Sequence, residues 1–275
     1  MSKIWFVTGA SRGMGARIAA AVLEAGHSVV ATARRKESLA ALPQGENLLC
    51  LALDVTDEEQ AHSVAREAID HFGRVDVLVN NAGYGLLGAI EETSSNEAKA
   101  VFNTNVFGLL NVTRAILPYM RKQGSGHIIN MSSLGGYQAS PGWGVYGSTK
   151  FAVEGITEAL YAELKPLGIH ATVVEPGFFR TDFMDASSLA HTAIQIDDYK
   201  RTVGKTRLFA EENNHQQPGD PAKLATALLR LSELTEPPVR LQLGTDAVKR
   251  VEQKNAFVNA ESQRWLSLSS FTDLS

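Results

Sequence analysis

Two side chains that could exchange a proton with a substrate, Tyr146 and Lys150, lie four residues apart. The pattern of residues from Val145 to Leu167 predicts a helix, and a spacing of four places both side chains on one helical face. A free phenol has a pKa of about 10, and a nearby ammonium lowers that pKa by stabilising the phenolate. Such a tyrosine could give a proton to a carbonyl or take one from an alcohol. The same pair can also occur on an ordinary helix face without any catalytic role. The residues around Tyr146 and Lys150 must therefore decide between the two interpretations.

Two polar residues upstream supply those surroundings. Ser133 follows the apolar run His127–Met131 and could hydrogen-bond a substrate oxygen in both redox states. Asn105 lies within the long helical stretch Asn96–Arg121, where it could hold a water molecule beside Lys150. A buried asparagine at a helix kink is the alternative interpretation of Asn105.

A glycine cluster, Thr8–Gly15, separates the first apolar run from the helical pattern Gly15–Ala25. Glycines let the backbone turn tightly and approach a pyrophosphate, and the helix N-terminus offers free N–H groups. A simple tight turn is the alternative, but the position between strand and helix favours a dinucleotide site. The predicted contacts in this loop are Gly9, Ser11, Arg12, Gly13, Met14 and Gly15.

The end of the second apolar run indicates which dinucleotide would bind. NAD-specific sites usually place an acidic residue here for the ribose 2′-hydroxyl, whereas an arginine accommodates a 2′-phosphate. This chain has Arg34 and Arg35 and no acid, and Arg12 in the glycine loop could reach the same phosphate. Guanidinium groups bind phosphate in a forked geometry. We therefore predict NADP(H), although solvated loop arginines would leave the same pattern.

Polar residues also follow the third and fourth runs. Asp54 and Val55 end the third, and the Asp54 carboxylate could accept a hydrogen bond from adenine or form a local Asx turn. Asn81, Ala82 and Gly83 end the fourth. Because nucleotides bind at the carboxyl ends of parallel strands, we expect all these segments to meet in one crevice.

The elements that must position these residues form an α/β pattern. Short runs rich in Val, Ile and Leu, without polar alternation, are typical of strands buried on both faces. Helical patterns separate them, including one that Thr56 opens with a predicted capping box to Glu59 and that runs to about Phe72. The alternation predicts right-handed crossovers and a doubly wound parallel sheet. The predicted strands are Ile4–Val7, Ser28–Thr32, Leu48–Leu53, Val75–Val79, His127–Met131, Ala171–Val174 and Val239–Leu243.

The pattern predicts one domain, residues 1–275, with a core over 3–244. An irregular stretch, about 178–218, is long enough to suggest a substrate loop. A C-terminal helical tail is expected over 246–275. Within the loop, Phe183–Tyr199 is predicted to form a lid that orders on binding.

Bulk composition excludes several classes of protein. The 275 residues carry a net charge of −4 and 44% hydrophobic residues, with no concentrated basic face for nucleic acid. The single cysteine, Cys50, rules out an internal disulfide and a cysteine zinc cluster, and we predict no metal site. No apolar run approaches the roughly 20 residues of a membrane span, and no signal peptide pattern is present. We therefore expect a soluble, cytoplasmic protein that binds neither membrane nor nucleic acid.

At this point the sequence resembles the short-chain dehydrogenase/reductase family, in its compact single-domain branch. The resemblance implies a seven-stranded sheet of order 3-2-1-4-5-6-7 and a catalytic tetrad of Asn105, Ser133, Tyr146 and Lys150. It also implies that Lys150 binds the nicotinamide ribose, with Tyr146 beside it, and that Asn81 and Gly83 line the adenosine side. Pro176, Gly177, Phe179 and Thr181 would hold the carboxamide and phosphates. The motifs that carry the resemblance are Thr8–Gly15, Asn80–Gly83, Asn105, Ser133, Tyr146–Lys150 and Pro176–Thr181.

Softer similarities point to the subgroup that resembles retinol and 17β-hydroxysteroid dehydrogenases, without identifying a steroid as substrate. The family implies pairing through the two long helices as a homodimer or homotetramer. The residues expected to wall the substrate pocket are mostly apolar, which favours an apolar alcohol or carbonyl compound. Those residues are Leu134, Gly135, Tyr137, Trp143, Phe178, Phe179 and Phe183–Tyr199.

We therefore predict an NADP(H)-dependent oxidoreductase that interconverts a ketone or aldehyde with an alcohol by hydride transfer. A non-catalytic NADP sensor or scaffold on the same fold is the alternative from another class, although it would be expected to have a broken tetrad. An epimerase or dehydratase would usually carry a larger C-terminal substrate domain.

Overall fold

A computed structural model describes residues 2–273 of the chain. Met1, Leu274 and Ser275, which the predicted domain and tail include, lie outside the described residues.

The centre of the molecule is a seven-stranded sheet in which every adjacent pair of strands is parallel. Its order, β3-β2-β1-β4-β6-β7-β9, reverses direction between β1 and β4 and confirms the predicted doubly wound α/β fold. All seven predicted strands exist, with ends that differ by two residues or fewer. The strands are β1 Ile4–Val7, β2 Ser28–Ala33, β3 Leu48–Ala52, β4 Val77–Asn80, β6 Gly126–Met131, β7 Ile169–Pro176 and β9 Arg240–Leu243.

Helices cover both faces of this sheet, because its central strands are apolar on both sides; all six residues of β2 are buried. On one face, α1 and α7 pack over Val7, Val29 and Val79. On the other, α2, α4 and α5 pack over Phe6 and Leu78. The helices are α1 Gly13–Glu24, α2 Glu58–Phe72, α3 Ser95–Phe102, α4 Leu109–Gln123, α5 Gly144–Leu164, α6 Val203–Glu212, α7 Pro221–Glu233, α8 Thr245–Arg264 and α9 Leu266–Ser270.

The predicted capping box between Thr56 and Glu59 is wrong. Asp57 caps α2, and its carboxylate accepts a hydrogen bond from the N–H of Gln60 at 2.9 Å. The Thr56 hydroxyl instead donates to Asp54 Oδ1 at 2.8 Å, so it is not free to cap the helix.

The predicted helix Asn96–Arg121 is interrupted around Asn105, the candidate catalytic residue within it. Residues Asn103–Gly108 form a π-helical turn between α3 and α4. A π-turn shifts the hydrogen-bond spacing from four residues to five, and such turns are frequent at functional sites. Asn105 lies inside this turn and is buried.

The stretch 178–218 is more regular than expected. Residues Leu189–His191 form β8, which pairs in parallel with β5, Gly85–Leu87, in a small separate sheet. The buried Glu92 carboxylate accepts hydrogen bonds from the N–H groups of Ala89 and Ile196, at 2.7 and 2.8 Å, and pairs with Arg207. Contacts within the chain therefore hold the segment Phe183–Tyr199 in place, and its role as a lid stays a prediction.

The tail after the sheet is helical, as predicted, but α8 buries only Ala247. Large apolar side chains on α8 and α9 are exposed, among them Phe257 and Trp265. Among residues 2–273, no helix combines the length and apolarity that crossing a membrane requires.

Candidate active site

A cavity of about 640 Å³ opens at the carboxyl ends of the strands, beside the point where the strand order reverses. This is where an open α/β sheet binds its ligands. The glycine loop lies at one end, and Ser133, Tyr146 and Lys150 lie in the same cavity.

The glycine loop is shaped to approach a ligand closely. Gly9 and Gly13 adopt φ values of +64° and +56°, which favour glycine. A Cβ on Gly15 would lie only 2.3 Å from the Gly9 carbonyl oxygen, so no side chain fits there. The side-chain amide of Asn81 donates to the carbonyl oxygens of Thr8 and Gly9, at 3.0 and 3.1 Å, and fixes the loop. This backbone cradle at the N-terminus of α1 fits a pyrophosphate.

The adenosine end of the cavity contains Arg34, Asp54 and Val55. Asp54 Oδ1 accepts hydrogen bonds from the Thr56 N–H at 3.0 Å and from the Thr56 hydroxyl, which is the Asx turn considered above. The carboxylate still lines the cavity, so the local turn and an adenine contact are compatible. Arg35 does not line it.

Arg12 connects the glycine loop with the lid segment. Its guanidinium donates to Ser188 Oγ at 3.0 Å and to the carbonyl oxygen of Ser187. The side chain also lines the cavity, where it lies between the lid and the place predicted for a phosphate.

The chemical end of the cavity brings together three members of the predicted tetrad. A methyl group on Gly135 would meet Ser133 Oγ at 3.5 Å and Tyr146 Cε1 at 3.9 Å, so these two side chains lie side by side. Lys150 Nζ lies 5.8 Å from the centroid of the Tyr146 ring and donates to the Met131 carbonyl oxygen at 2.9 Å. Tyr146 and Lys150 are both buried, one helical turn apart on α5.

Burial governs the proton affinity of both groups. It raises the pKa of Tyr146 above its ordinary value, and the Ser133 hydroxyl opposes this rise. It lowers the pKa of Lys150 to about 8, while the Glu154 carboxylate raises it. Lowering of the Tyr146 pKa by Lys150 was expected, whereas burial raises this pKa because a low-dielectric interior disfavours the phenolate. Tyr146 is therefore a protonated phenol near neutral pH, the form that donates a proton.

Asn105 is placed behind these groups rather than at the cavity wall. Its Oδ1 accepts from the Tyr84 N–H, and its Nδ2 donates to the Tyr84 carbonyl oxygen, both at 3.0 Å. Nδ2 also donates to Thr149 Oγ1 at 3.1 Å. These contacts fasten the loop after β4 to the start of α5. A Cβ on Gly83 would lie 3.0 Å from Asn105 Oδ1 and 3.7 Å from Lys150 Nζ, so the role of Asn105 beside Lys150 stays a prediction.

Phe183 lines the cavity beside Tyr146, and Trp143 packs against both rings without lining the cavity. The Phe183 and Trp143 rings each have centroids 5.7 Å from that of Tyr146 and are stacked on each other. Other predicted wall residues lie elsewhere. Phe179 and Leu134 are buried, and Phe178 packs against Phe209.

The comparisons with known proteins agree with this geometry. The sequence model described as short chain dehydrogenase matches residues 3–191. The chain is a member of the short-chain dehydrogenase family. It is 39% identical over 272 residues to oxidoreductase BOA17 of Botryotinia fuckeliana, covering 98% of each chain. It is 37% identical over 245 residues to a 3-ketodihydrosphingosine reductase of Bacteroides thetaiotaomicron, covering 88% of each.

Solved structures extend the likeness to the whole chain. A short-chain dehydrogenase from Streptomyces avermitilis has a TM-score of 0.92 and 42% identity, with 100% of both chains covered. A serine dehydrogenase solved with NADP+ has a TM-score of 0.75 and 29% identity, covering 87% of this chain and 94% of that one. The chain is therefore a short-chain dehydrogenase, an oxidoreductase of a family that includes enzymes with nicotinamide cofactors.

In this short-chain dehydrogenase, four of the proposed site residues do not line the cavity. These four are Gly15, Asn105, Arg35 and Phe179. Sequence motifs did not identify some residues that line the cavity, because their side chains are apolar or because they lie one position before or after a motif residue. They are Ala33, Leu53, Tyr84, Met131 and Ser132.

Proposed function

We propose that the chain is an NADP(H)-dependent reductase of an apolar ketone or aldehyde, which also oxidises the corresponding alcohol. The observation that carries the proposal is the buried Tyr146 phenol, adjacent to Ser133 and Lys150, in the same cavity as the glycine loop.

Each residue of this centre has a role that follows from its position. The Ser133 hydroxyl, beside Tyr146, holds the substrate oxygen. Tyr146 gives its phenolic proton to that oxygen as the carbonyl becomes an alcohol. The Lys150 ammonium is close enough to the ring to stabilise the remaining phenolate. When bound, the reduced nicotinamide would supply the hydride that the carbonyl carbon accepts.

Two arginines support the preference for NADP(H). Arg12 and Arg34 line the cavity, and no acidic residue ends β2. Glycine-loop and sheet-edge guanidiniums favour a 2′-phosphate, and a carboxylate would repel it. The NADP+ bound by the similar serine dehydrogenase is consistent with this assignment.

The Tyr146 and Phe183 rings that line the cavity, with Trp143 packed against both, support an apolar substrate. The similar Bacteroides protein is named for reduction of a ketone, 3-ketodihydrosphingosine. We infer the same class of substrate here, a ketone next to an extended apolar group.

A carbonyl panel tests the proposal. Ketones and aldehydes of increasing apolar length are mixed with NADPH or NADH, and oxidation is followed by the absorbance of the reduced nicotinamide. We expect faster turnover with NADPH and with longer apolar substrates. Replacing Tyr146→Phe should lower kcat by about 10²- to 10⁴-fold while NADPH still binds. Tyr137→Phe is the matched control, because that hydroxyl contacts Asn255 away from the cavity.

Near-normal turnover by the Tyr146→Phe variant would refute the assignment of the proton donor. Binding of NADPH without turnover of any carbonyl by the unmodified protein would instead favour the sensor or scaffold.

We also infer a cytoplasmic homo-oligomer that pairs through the two long helices. Phe107, in the π-turn, and Phe151, on α5, are exposed on these helices. Size-exclusion chromatography of the unmodified chain and of a Phe151→Glu variant tests the pairing, which predicts a smaller species for the variant.

A further inference from the structure

A buried group of charges lies behind Lys150, one helical turn further along α5. Its centre is Glu154, which is 4% exposed and follows Lys150 by four residues. Lys150 and Glu154 therefore share a helical face. No carboxylate forms an ion pair with Lys150 among residues 2–273, and its ammonium donates only to the Met131 carbonyl oxygen.

The other carboxylates in this group are already neutralised or exposed. Arg240 Nη1 donates to Glu175 Oε1 at 2.9 Å, and Gln242 Nε2 donates to Glu175 Oε2 at 2.7 Å, so both Glu175 oxygens are occupied. Glu158 also pairs with Arg240, at 2.8 Å, but its side chain is 56% exposed. Water screens a charge at that position.

Glu154 differs from both, because only one of its oxygens is occupied. Oε2 contacts Arg240, whereas Oε1 has no hydrogen-bond partner among the described residues. A methyl group on Gly136 would meet Glu154 Oε1 at 3.0 Å, Ser132 Oγ at 2.4 Å and Lys150 Cβ at 3.0 Å. The free oxygen therefore lies in the same small space as the base of the Lys150 side chain.

The balance of charges around Glu154 indicates what its free oxygen does. The groups that face Glu154 are Lys150 and Glu158 on α5, Glu175 on β7 and Arg240 on β9. With both Glu175 oxygens held by Arg240 and Gln242, Glu154 is the buried carboxylate that has a free oxygen and shares a helical face with Lys150. A buried cation without an anion loses its proton readily, because desolvation disfavours the charged form.

We propose that Glu154 is a positioning residue for the reaction, whose carboxylate keeps the buried Lys150 ammonium protonated beside Tyr146. The catalytic consequence rests on the proposed function, whereas the electrostatic effect on Lys150 does not. The directions of the pKa shifts agree with the geometry: burial lowers the pKa of Lys150, and Glu154 raises it. Burial and the neighbouring Glu175 carboxylate raise the pKa of Glu154 to about 7, while the Ser132 hydroxyl and Arg240 oppose the rise, so Glu154 is an anion in the range near pH 8 where Lys150 titrates.

The test replaces the charge without changing the shape, with Glu154→Gln. Glu158→Gln is the matched control, since it removes a carboxylate from the same Arg240 at an exposed site one turn further away. The direct measurement is an NMR titration of protein labelled with ¹³Cε-lysine, in which the Lys150 signal is assigned by its loss in Lys150→Arg. We expect Glu154→Gln to lower the Lys150 pKa by roughly one unit, and Glu158→Gln to leave it unchanged.

The pH profile of kcat/KM for carbonyl reduction is the second measurement. Reduction needs the ammonium and the protonated phenol, so activity should fall as pH rises. Removing the anion lowers the pKa of the Lys150 ammonium, so the fall should move to lower pH in Glu154→Gln. A purely structural role would lower kcat without moving this midpoint.

An unchanged Lys150 titration in Glu154→Gln, or an equal shift in Glu158→Gln, would overturn the proposal. If Glu154→Gln does not fold, Glu154→Asp decides: it keeps the charge but withdraws it by one methylene, and a smaller shift in the same direction is expected. No shift in Glu154→Asp would then count against the proposal. Absence of carbonyl turnover by the unmodified protein would refute the proposed function, and the NMR titration would still decide this inference.

Discussion

The side-chain amide of Asn105 holds both backbone polar groups of Tyr84, accepting from its N–H and donating to its carbonyl oxygen at 3.0 Å each. This reciprocal pair joins a π-helical turn to the loop that follows β4. Because Tyr84 lines the cavity, the position of that wall depends on one buried side chain outside it.

Replacing Asn105→Ala should destabilise the fold by about 2–6 kcal/mol, because two part-buried backbone groups of Tyr84 would lose their partners, at about 1–3 kcal/mol for each unsatisfied group. Urea unfolding followed by circular dichroism measures the change. Asn103→Ala is the control, because Asn103 is exposed in the same π-turn. Equal stability of the two variants would contradict the structural role of Asn105.

Gly15→Ala should weaken NADPH binding by roughly ten- to a hundredfold. Its methyl group would lie 2.3 Å from the Gly9 carbonyl oxygen and 2.5 Å from Asn81 Nδ2, so the glycine loop must move. Such overpacking costs about 1–3 kcal/mol, and every 1.4 kcal/mol is about tenfold in affinity. Titration of the cofactor fluorescence gives the dissociation constant.

The control for that substitution is Gly155→Ala on α5, where a methyl group meets nothing within 4 Å. It should leave NADPH binding unchanged and raise stability by about 0.5–1 kcal/mol through helix propensity. Comparable binding by the Gly15→Ala and Gly155→Ala variants would show that the loop does not cradle the cofactor.

Arg34→Ala should raise the KM for NADPH by about ten- to a hundredfold and change the KM for NADH little. A hydrogen bond to a charged group contributes about 1.5–3 kcal/mol, and the 2′-phosphate is the only difference between the two cofactors. Arg35→Ala is the matched control, since Arg35 does not line the cavity. An equal effect of the two substitutions, or an equal loss with both cofactors, would argue against a 2′-phosphate contact at Arg34.

The buried Glu92 carboxylate, which binds the N–H groups of Ala89 and Ile196 and pairs with Arg207, should make the free energy of unfolding depend on pH in the acid range. Burial alone would raise the Glu92 pKa, but the N–H groups of Ile196 and Ala89 and the Arg207 guanidinium together lower it below 4.5. A pKa that folding lowers contributes stability above the unfolded value, and this stability is lost as pH falls through the folded value. We therefore expect the stability advantage over Glu92→Gln to be full near neutral pH and to shrink below about pH 4.5.

Urea unfolding of both proteins across this range measures the effect, with Glu91→Gln as the control. Glu91 contacts the Tyr199 hydroxyl at the surface, so its loss should not alter the pH dependence. A difference in the free energy of unfolding between the unmodified protein and Glu92→Gln that stays constant down to pH 3 would contradict this role of Glu92.

The sheet could be predicted from the sequence because its strands are buried on both faces. Runs such as Ser28–Thr32 contain no polar alternation, which is typical of strands in a parallel sheet that helices cover on both faces. The spacing of four predicted that Tyr146 and Lys150 share a face because they lie on one regular helix, whereas the tetrad with Asn105 and Ser133 was implied by the family resemblance. The family resemblance supplied the strand order, which periodicity does not contain.

Other features depend on competition between neighbours, which composition does not show. Thr56 and Asp57 are both good caps, and the outcome depends on the Thr56 hydroxyl being taken by Asp54. β5 and β8 are three residues long, too short to show a period, and they are paired across about a hundred residues. The side chains of Tyr84 and Phe179 could not be assigned to cavity or core without the tertiary structure.

The π-helical turn has a consequence for how this chain can change length. A π-turn amounts to one residue inserted into a helix, and each residue of an α-helix turns the chain by about 100°. Deleting one residue between 103 and 108 would restore regular helical spacing and rotate Asn105 away from Tyr84 relative to α4. Substitutions along this helix can be absorbed locally, whereas a single-codon deletion would misalign everything on one side of it. Homologous chains should therefore vary in residue type along this segment before they vary in residue number.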